Sequence, residues 1–530
     1  MNRSWLLHPL LVLSCALPLS ADAAPPAMRI DTAEAFDAAA VVPFAGDYPQ
    51  VYAHIRANRE AHLENIRRWL RQPSISAEDN GVREMATLLR DDLAALGFAE
   101  AELVETDGHP GVWGYYDAGA EKTLVVYLMY DVQPIEPTGW KVPAFDAALV
   151  EDHPLGTVLM ARGASNQKGP ERAFLNALQS VIAVEGTLPV NIMVAAEGEE
   201  ELGSPHYRQV VERYAARMRR ADGVFFPFNS QSPAGEVSMF LGVKGIVYFE
   251  LEARGGAWGG PQEAEIHGSF NSLVDAPAWR LAHALSSLTS ADGNTIAVPG
   301  YYDPIRAPNL EEQRLFNGLM RTWPAQEQSL RQALGVARWK AGLQGADALR
   351  QHLFNTTLNI DGLDSGYDGE GMKTILPHRA VAKLDSRLVP EQTPDQALEL
   401  IRAHLDASGF GDIELRKLSG YPPAQTSVEA PLVQAAIAAY RKHGITPDVA
   451  PRIAGSAPYY VFTDVLGLPM IAGGLGHGSG AHAPNEYMLI EPGEGTEAAG
   501  LVEIEMFYVD LLYALAGAER SGDGTDSNPK

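Results

Sequence analysis

Two apolar runs, each followed by a polar cluster, constrain the fold of this chain more than any other feature of the sequence. The first is TLVVYLM at 123–129 and the second is VNIMVAA at 190–196. Such runs are typical of buried parallel strands, and a helix predicted to begin near Pro170 lies between them. The pattern predicts an α/β sheet flanked by helices. Since the carboxyl ends of such strands gather the chemistry, Tyr130, Asp131 and the segment 197–201 are predicted to share one edge.

From about residue 243 the sequence changes character. The segment 245–253 (GIVYFELEA) alternates like a half-exposed antiparallel strand, and further strands are predicted at 381–389 and 413–418. A helix predicted for 394–408 lies between the last two. These elements predict a smaller α+β insertion, after which the chain returns to helix, strand and the glycine-rich loop GGLGHGSGAHAPNE.

The N-terminal residues 1–23 have the pattern of a secretory signal. Arg3 precedes an apolar stretch, and Ala21-Asp22-Ala23 fits a cleavage site, which predicts export to a periplasm or the medium. The only cysteine, Cys15, lies inside this signal, so the mature chain is predicted to lack a thiol. Lipidation of Cys15 is the weaker alternative, because apolar residues continue past it. We expect an extended lead-in at 24–47 and a disordered tail at 519–530.

Charge narrows the class of partner. The chain has 530 residues with 41 Lys and Arg against 67 Asp and Glu, a formal net charge of -26. A polyanion is repelled by phosphate backbones and anionic lipid, so we expect neither nucleic acid nor a membrane surface as a partner. No segment after the signal has the roughly 18 uncharged residues of a membrane span.

Three consecutive glutamates, 199–201, follow the second apolar run. Adjacent carboxylates repel one another, and a cation or a shared proton normally holds them together. One carboxylate could bind a metal while its neighbour accepts a proton from water. The alternative is a solvated acidic turn without function.

Further motifs stand with these glutamates in one order along the chain. They are YDVQP (130–134), ARGASNQKG (161–169), EGEEELGS (197–204), IHG (266–268), SGYDGEGMKTILP (365–377), SRLVP (386–390) and GSGAHAPNE (478–486). In this order and spacing the chain resembles the zinc-dependent aminoacylase, carnosinase and acetylornithine-deacetylase metallopeptidases, most closely the carnosinase-like dipeptidases. The resemblance covers about residues 50–515.

The resemblance implies an architecture and an activity. A zinc-binding α/β catalytic domain would comprise 48–240 and 419–518, and a lid domain at 241–418 would interrupt it and form a homodimer. Members of the family hydrolyse an amide next to a free carboxylate, in dipeptides or N-acyl amino acids. Two zinc ions share a bridging carboxylate there, and a glutamate activates the bridging water.

Some of the family's catalytic and metal-binding roles carry over to this sequence. By the resemblance, Glu200 is the general base, Glu201 and His482 are metal ligands, and Asp131 is the carboxylate that steadies the first metal-binding histidine. His267 would reach across the dimer to polarise the substrate carbonyl. Arg387 would hold the substrate carboxylate.

Three ligand positions depart from the family pattern. The expected histidine is Met129, the bridging aspartate is Asn166, and the later acidic ligand is Phe228. A thioether is soft, an amide is neutral and a phenyl ring is no ligand, so the two-zinc centre is lost. The resemblance then implies that the chain binds at most one divalent metal ion, which by the family pattern would be zinc, or none. Without a metal ion, the Glu200–Glu201 pair is predicted to hold a proton.

Three functions remain open on the sequence. The first is an amide hydrolase with one metal. The second is a metal-independent enzyme that uses Glu200 and Glu201 for cyclisation, transfer or isomerisation of a similar substrate. The third is a binding protein that has kept the pocket and lost the chemistry.

Overall fold

The computed structural model describes residues 28–517. The predicted signal at 1–23 with Cys15, the start of the lead-in and the predicted tail at 519–530 lie outside these residues. Among the residues that are described, no helix combines the length and the apolar character needed to cross a membrane.

The two predicted helices are confirmed, since the helix expected near Pro170 begins at Lys168 and the one expected at 394–408 spans Pro394–Ala407. The α-helices are α1 (Pro49–Ala57), α2 (Arg59–Arg71), α3 (Val82–Ala95), α4 (Lys168–Glu185), α5 (Tyr207–Met218), α6 (Pro277–Ser287), α7 (Leu310–Leu319), α8 (Trp323–Ala333), α9 (Gly345–Phe354), α10 (Pro394–Ala407), α11 (Pro431–Lys442), α12 (Tyr460–Thr463) and α13 (Leu501–Ala516). Short 3-10 helices occupy Ala38–Ala40, Ser76–Glu78, Glu200–Leu202, Gly268–Ser272 and Lys340–Gly342.

The strands form two main sheets, of six and four strands, a further four-stranded antiparallel sheet and three short pairs. In chain order they are β1 (Glu100–Val104), β2 (Gly111–Tyr116), β3 (Thr123–Met129), β4 (Ala148–His153), β5 (Gly156–Met160), β6 (Asn191–Glu197), β7 (Gly223–Pro227), β8 (Ser238–Phe240), β9 (Gly242–Val243), β10 (Gly245–Arg254), β11 (Ile266–His267), β12 (Asn359–Asp364), β13 (Ile375–Leu376), β14 (Arg379–Leu388), β15 (Glu414–Tyr421), β16 (Ala424–Gln425), β17 (Asp448–Ala450), β18 (Met470–Gly473), β19 (Gly478–Ser479) and β20 (Tyr487–Pro492).

The larger of the two main sheets confirms the predicted α/β pattern. Its strand order is β1-β2-β6-β3-β7-β18, and β6, β3, β7 and β18 run parallel. The first apolar run is β3, the second forms most of β6, and α4 connects them across one face. Every residue of β6 is buried, as a strand covered on both faces requires.

The second main sheet is antiparallel, with the order β12-β14-β10-β15. It contains the alternating strand predicted at 245–253, whose burial pattern is that of a sheet with one covered face. Apolar side chains of this sheet pack with α6 and α10 in a core of their own, among them Phe249, Leu285 and Ile401. The predicted α+β character of this part of the chain is confirmed.

The register of the parallel sheet positions the polar clusters. Met129, the last residue of β3, pairs with Glu197, the last residue of β6. The chain therefore leaves both strands at the same edge, and Asp131 and Glu200 follow within a few residues of that edge, as predicted.

Candidate active site

Asp131 organises the turn that carries Glu200 and Glu201. Its buried carboxylate accepts the backbone N–H of Glu200 at 3.1 Å and of Glu201 at 3.0 Å, and the hydroxyl of Ser76 at 2.8 Å. Burial, and then the charge of Glu201, raise the pKa of Asp131 to about 7. The carboxylate thus positions both glutamates through their backbone. In the family pattern the same carboxylate instead steadies a metal-binding histidine, a residue that this chain lacks.

Side chains from three separate loops converge on Glu201. Its Oε1 accepts the amide N–H of Asn166 at 2.7 Å, and its Oε2 accepts that of Gln133 at 2.8 Å. The Nε2 of His482 lies 3.2 Å from the same Oε2. We call these four residues the Glu201 cluster. The structure therefore brings together both predicted metal ligands and the residue at the bridging position.

Within the Glu201 cluster, His482 and Glu201 form an ion pair. The pKa of His482 is raised, first by its hydrogen bond to Glu201 and also by the charge of that carboxylate, against the opposing effect of burial. The imidazole is half-exposed and its backbone φ is 63°. The contact favours the imidazolium form, which neutralises Glu201.

Glu486 anchors the loop that carries Asn166. Its buried carboxylate accepts the backbone N–H groups of Gly163, Ser165 and Asn166 at 3.0, 2.9 and 2.8 Å, and it pairs with Arg162 at 3.0 Å. Four donors on one carboxylate hold the loop in place. The Asn166 amide is therefore presented to Glu201 by a fixed backbone.

The two other substituted positions supply no ligand. Met129 is 2% exposed at the end of β3, and its backbone N–H donates to Glu171 at 2.7 Å. Phe228 follows β7, is 39% exposed, and its ring lies 6.2 Å from that of Phe226. Both side chains place apolar groups where the family pattern has metal-binding ones.

Glu200 differs from Glu201 in having no partner. Within residues 28–517 its carboxyl group makes no hydrogen bond or ion pair, although it lies in a mostly buried position. Its pKa is raised, first by burial and then by the charges of Glu201, Asp131 and Glu197. The group is therefore positioned by its backbone and free to act on something outside the chain.

Arg387 is held by two neighbouring side chains. Its Nε donates to Asp385 and its Nη1 donates to Ser456, each at 3.0 Å. The pKa of Tyr421 is raised by burial and then by the charge of Glu200, while the charge of Arg387 lowers it. The charges of both Glu200 and Arg387 therefore reach the half-buried phenol of Tyr421.

His267 is not joined to this site within one chain. It lies exposed on β11, with Nδ1 2.8 Å from the hydroxyl of Ser269 and Nε2 3.4 Å from that of Thr374. Its assignment as a catalytic and substrate-binding residue from a second copy stays a prediction.

Sequence reasoning missed several residues of the site. Gln133 lies within the quoted motif YDVQP, so that motif already contained a signal for it. No quoted motif contains the other missed residues, which are Ser76, Tyr421 and Ser456. The sequence therefore contained no signal for them. Their roles depend on contacts between residues that are distant in the sequence.

Comparison with known proteins gives the family. The model of peptidase family M20/M25/M40 matches residues 127–496. The chain belongs to this family. The predicted resemblance to carnosinase-like metallopeptidases is thereby confirmed.

Relatives within the M20 family cover most of the chain. The Cys-Gly metallodipeptidase DUG1 of Candida albicans is 26% identical over 463 residues, which is 80% of this chain and 90% of that protein. The Beta-Ala-His dipeptidase of Rattus norvegicus is 25% identical over 434 residues, 77% of this chain and 84% of that protein. The M20 family metallo-carboxypeptidase Sso-CP2 of Sulfolobus solfataricus superimposes with a TM-score of 0.74 at 34% identity, covering 86% of this chain and 98% of that one.

The metal centre implied by these names does not fit the residues of this M20 chain. Both carboxylate oxygens of Glu201 already accept hydrogen bonds from side chains, and Asn166 presents its amide nitrogen. In the stretch from 28 to 517, no three His, Cys, Asp or Glu side chains are grouped so that they could hold a metal ion. A catalytic zinc normally has three protein ligands. The residues fit a hydrogen-bonded cluster in which Asn166 and Gln133 donate to Glu201 and His482 pairs with its charge.

Proposed function

We propose that this M20 chain is an enzyme that hydrolyses an amide bond next to a free carboxylate, in a dipeptide or an N-acyl amino acid. The observation that carries the proposal is a Glu200 carboxyl that has no partner within residues 28–517, with the guanidinium of Arg387 near enough for both charges to act on Tyr421. A proton-transfer group and a guanidinium near one another match a short substrate with a charged end. The dipeptidase names of the relatives support the same class of substrate.

The chemistry of Glu200 follows from its surroundings. As a carboxylate, Glu200 accepts a proton from water while the water oxygen adds to the amide carbon. The same proton passes to the leaving nitrogen when the C–N bond breaks, so that one acid and one amine are released. Burial makes Glu200 a stronger base than an exposed carboxylate, because desolvation raises its affinity for the proton.

Arg387 supplies the anchor for the substrate carboxylate. Asp385 and Ser456 hold Nε and Nη1, so the plane of the guanidinium is fixed before a substrate arrives. Nη2 makes no hydrogen bond to any residue between 28 and 517 and remains available to a carboxylate. Charge-assisted contacts of this kind define where the amide lies relative to Glu200.

A second candidate is metal-independent acyl transfer, cyclisation or isomerisation on a similar substrate. The Glu201 cluster favours it, because water activated by a carboxylate alone is a weaker nucleophile than zinc-bound hydroxide. An amine or hydroxyl group of the substrate would then compete with water for the acyl group. Glu200 and Glu201 would transfer the proton in this reaction also.

The experiment compares Glu200→Gln with Glu212→Gln, an exposed glutamate paired with Arg208. Both variants are assayed by mass spectrometry on dipeptides and N-acetyl amino acids, with a chelator and with free amino acids as acyl acceptors. We expect Glu200→Gln to lower kcat by at least about a hundredfold and Glu212→Gln to leave it unchanged. Acyl-transfer products would favour the second candidate. Equal rates in wild type and Glu200→Gln would refute the catalytic role of Glu200, whereas binding without turnover would favour a binding protein.

We also propose a homodimer formed through the lid. Strand β12 is an edge of the second sheet, and its Ile360 and Leu363 are exposed. An apolar sheet edge normally requires a cover, and a second copy there would bring its own His267 toward the first copy's cleft. Light scattering should give two chains per particle, and Leu363→Lys should give one. A wild-type monomer would refute this.

Export is the remaining part of the proposal, and it rests on the sequence of residues 1–23. N-terminal sequencing of protein from the periplasm or medium should begin after Ala23. Recovery only from the cytoplasm, or of a lipidated form, would overturn it.

A further inference from the structure

The lid contains a cavity of about 470 Å³ next to Arg387. This volume lies within the roughly 300–1,000 Å³ of ligand pockets. Helices α8 and α9, the loop between them and the loop at 293–296 form most of its wall. The apolar lining consists chiefly of Ile296, Trp323, Leu330, Trp339, Leu343 and Leu358.

Two cations lie at the same cavity. Lys244 is 2% exposed, and its ammonium group donates to the backbone oxygen of Asn355 at 2.6 Å. Over residues 28–517 it forms no ion pair with a carboxylate, and the nearby charges of Arg452 and Arg387 are also positive. Burial, with these charges, lowers the pKa of Lys244 to about 7. A buried cation without an anionic partner is costly, and an anion in the cavity would offset that cost.

Asn355 provides a second, independent polar group at the cavity wall that could bind a ligand. Its side-chain N–H donates to Gln351, whereas its buried Oδ1 has no hydrogen-bond partner in the described part of the chain, residues 28–517. Both residues line the cavity. Buried polar atoms are normally paired, so this part of the wall is incomplete without something bound.

Arg387 links the cavity to the proposed function, because it is also the proposed anchor of the substrate carboxylate. It lines the cavity, and its Nη1 donates to Ser456, whose hydroxyl donates to the backbone oxygen of Gly245 at 3.1 Å. Lys244 is the neighbour of Gly245 in the chain. The carboxylate anchor and Lys244 therefore line the same cavity and are connected through Ser456 and Gly245.

We propose that this cavity takes a large apolar side chain, aromatic or branched, of the carboxylate-bearing residue of the substrate, while Arg387 and Lys244 hold its carboxylate. This assignment rests on the proposed function and names its substrate class. An N-acyl or peptidyl derivative of a large apolar amino acid would fill the cavity, whereas a glycine derivative would leave it empty.

Binding of two simple acids to the full mature chain tests the inference by calorimetry. The probes are 3-phenylpropionate and propionate, which share a carboxylate and differ by the phenyl group. We expect 3-phenylpropionate to bind at least about tenfold more tightly, because its ring is buried in the cavity. Equal affinities, or no binding of either acid, would overturn the proposal.

Two matched variants locate the binding. Leu334 lines the cavity and is 59% exposed, whereas Val336, in the same loop, is 40% exposed and does not line it. Leu334→Trp should fill the cavity and weaken 3-phenylpropionate about tenfold, with propionate unchanged, and Val336→Trp should change neither affinity. Lys244→Met should weaken both acids by a similar factor. Unchanged binding of 3-phenylpropionate to Leu334→Trp would place the site elsewhere.

The outcome is separate from that of the proposed function, since neither probe contains an amide bond. Selective binding without hydrolysis of any amide would keep the cavity assignment and retire the hydrolase. Hydrolysis without preference for large apolar residues, together with equal affinities for the two acids, would support the hydrolase function and refute the assignment of the cavity as a side-chain pocket.

Discussion

Asn166 donates its side-chain N–H to Oε1 of Glu201 across 2.7 Å, at the position where the family pattern has a carboxylate that bridges two metal ions. An aspartate there would face Glu201 as a second negative charge, and the pair would require a cation. Asparagine supplies a donor instead. With asparagine at this position, the Glu201 cluster is therefore stabilised by hydrogen bonds and does not require a metal cation.

The first prediction reverses this substitution. In metal-free buffer, Asn166→Asp should lower the free energy of unfolding by roughly 1–3 kcal/mol, because a hydrogen bond is replaced by a repulsion. Added zinc should restore part of the loss. Thermal unfolding with and without zinc measures both effects. Asn271→Asp, at an exposed position, is the control, and equal behaviour of the two variants would contradict the account.

A second prediction concerns metal content. Wild-type protein dialysed against zinc should retain at most one zinc per chain, and Met129→His/Asn166→Asp/Phe228→Glu should retain two, because it restores the missing ligands. Elemental analysis gives the count. Adding His482→Ala to the triple variant should remove one metal. Two zinc ions in the wild type would show that the ligand positions are misassigned.

Removal of the carboxylate anchor should affect substrate binding more than the chemical step. Arg387→Met is expected to raise KM about tenfold to a hundredfold with a smaller change in kcat, because charge-assisted hydrogen bonds are lost. Steady-state kinetics on the substrate found in the Glu200 experiment measures the change. Arg379→Met, at the other end of β14, should leave KM unchanged. A loss confined to kcat would argue against Arg387 as the anchor.

The raised pKa of Asp131 predicts a dependence of stability on pH. The unfolded chain releases this proton near pH 4, whereas the folded chain holds it until about pH 7. Between these pH values the folded state binds more protons than the unfolded state. The contribution of Asp131 to the free energy of unfolding is therefore complete below about pH 4 and is lost as pH rises through about 7.

Denaturant titrations of wild type and Asp131→Asn at pH 4 to 8 check the sign. The free energy of unfolding of the wild type should fall relative to that of the variant as pH rises, by at most about 1.4 kcal/mol per pH unit. Asp152→Asn, an exposed control, should follow the wild type. A wild type that gains stability relative to Asp131→Asn over this range would refute the raised pKa.

Much of the fold was predictable because its signals are local. Uninterrupted apolar runs predicted β3 and β6, and alternation predicted β10, since burial on two faces or one face is written in the residues of each strand. The ordered motifs placed Glu200, Glu201, Asp131 and His482 at one site. The same motifs revealed that Met129, Asn166 and Phe228 depart from the family pattern.

The sequence by itself determined the family and the two kinds of sheet, and it predicted the loss of the ligand set. Only the tertiary structure decided that Gln133 and Asn166 donate to Glu201 while His482 pairs with its charge, and that Lys244 and Arg387 border one apolar cavity. It also left the carboxyl group of Glu200 without a partner among residues 28–517. The physical reason is that periodicity and composition report on neighbours along the chain. Hydrogen bonds and cavities join side chains from distant loops, and their geometry depends on how the sheets and helices pack.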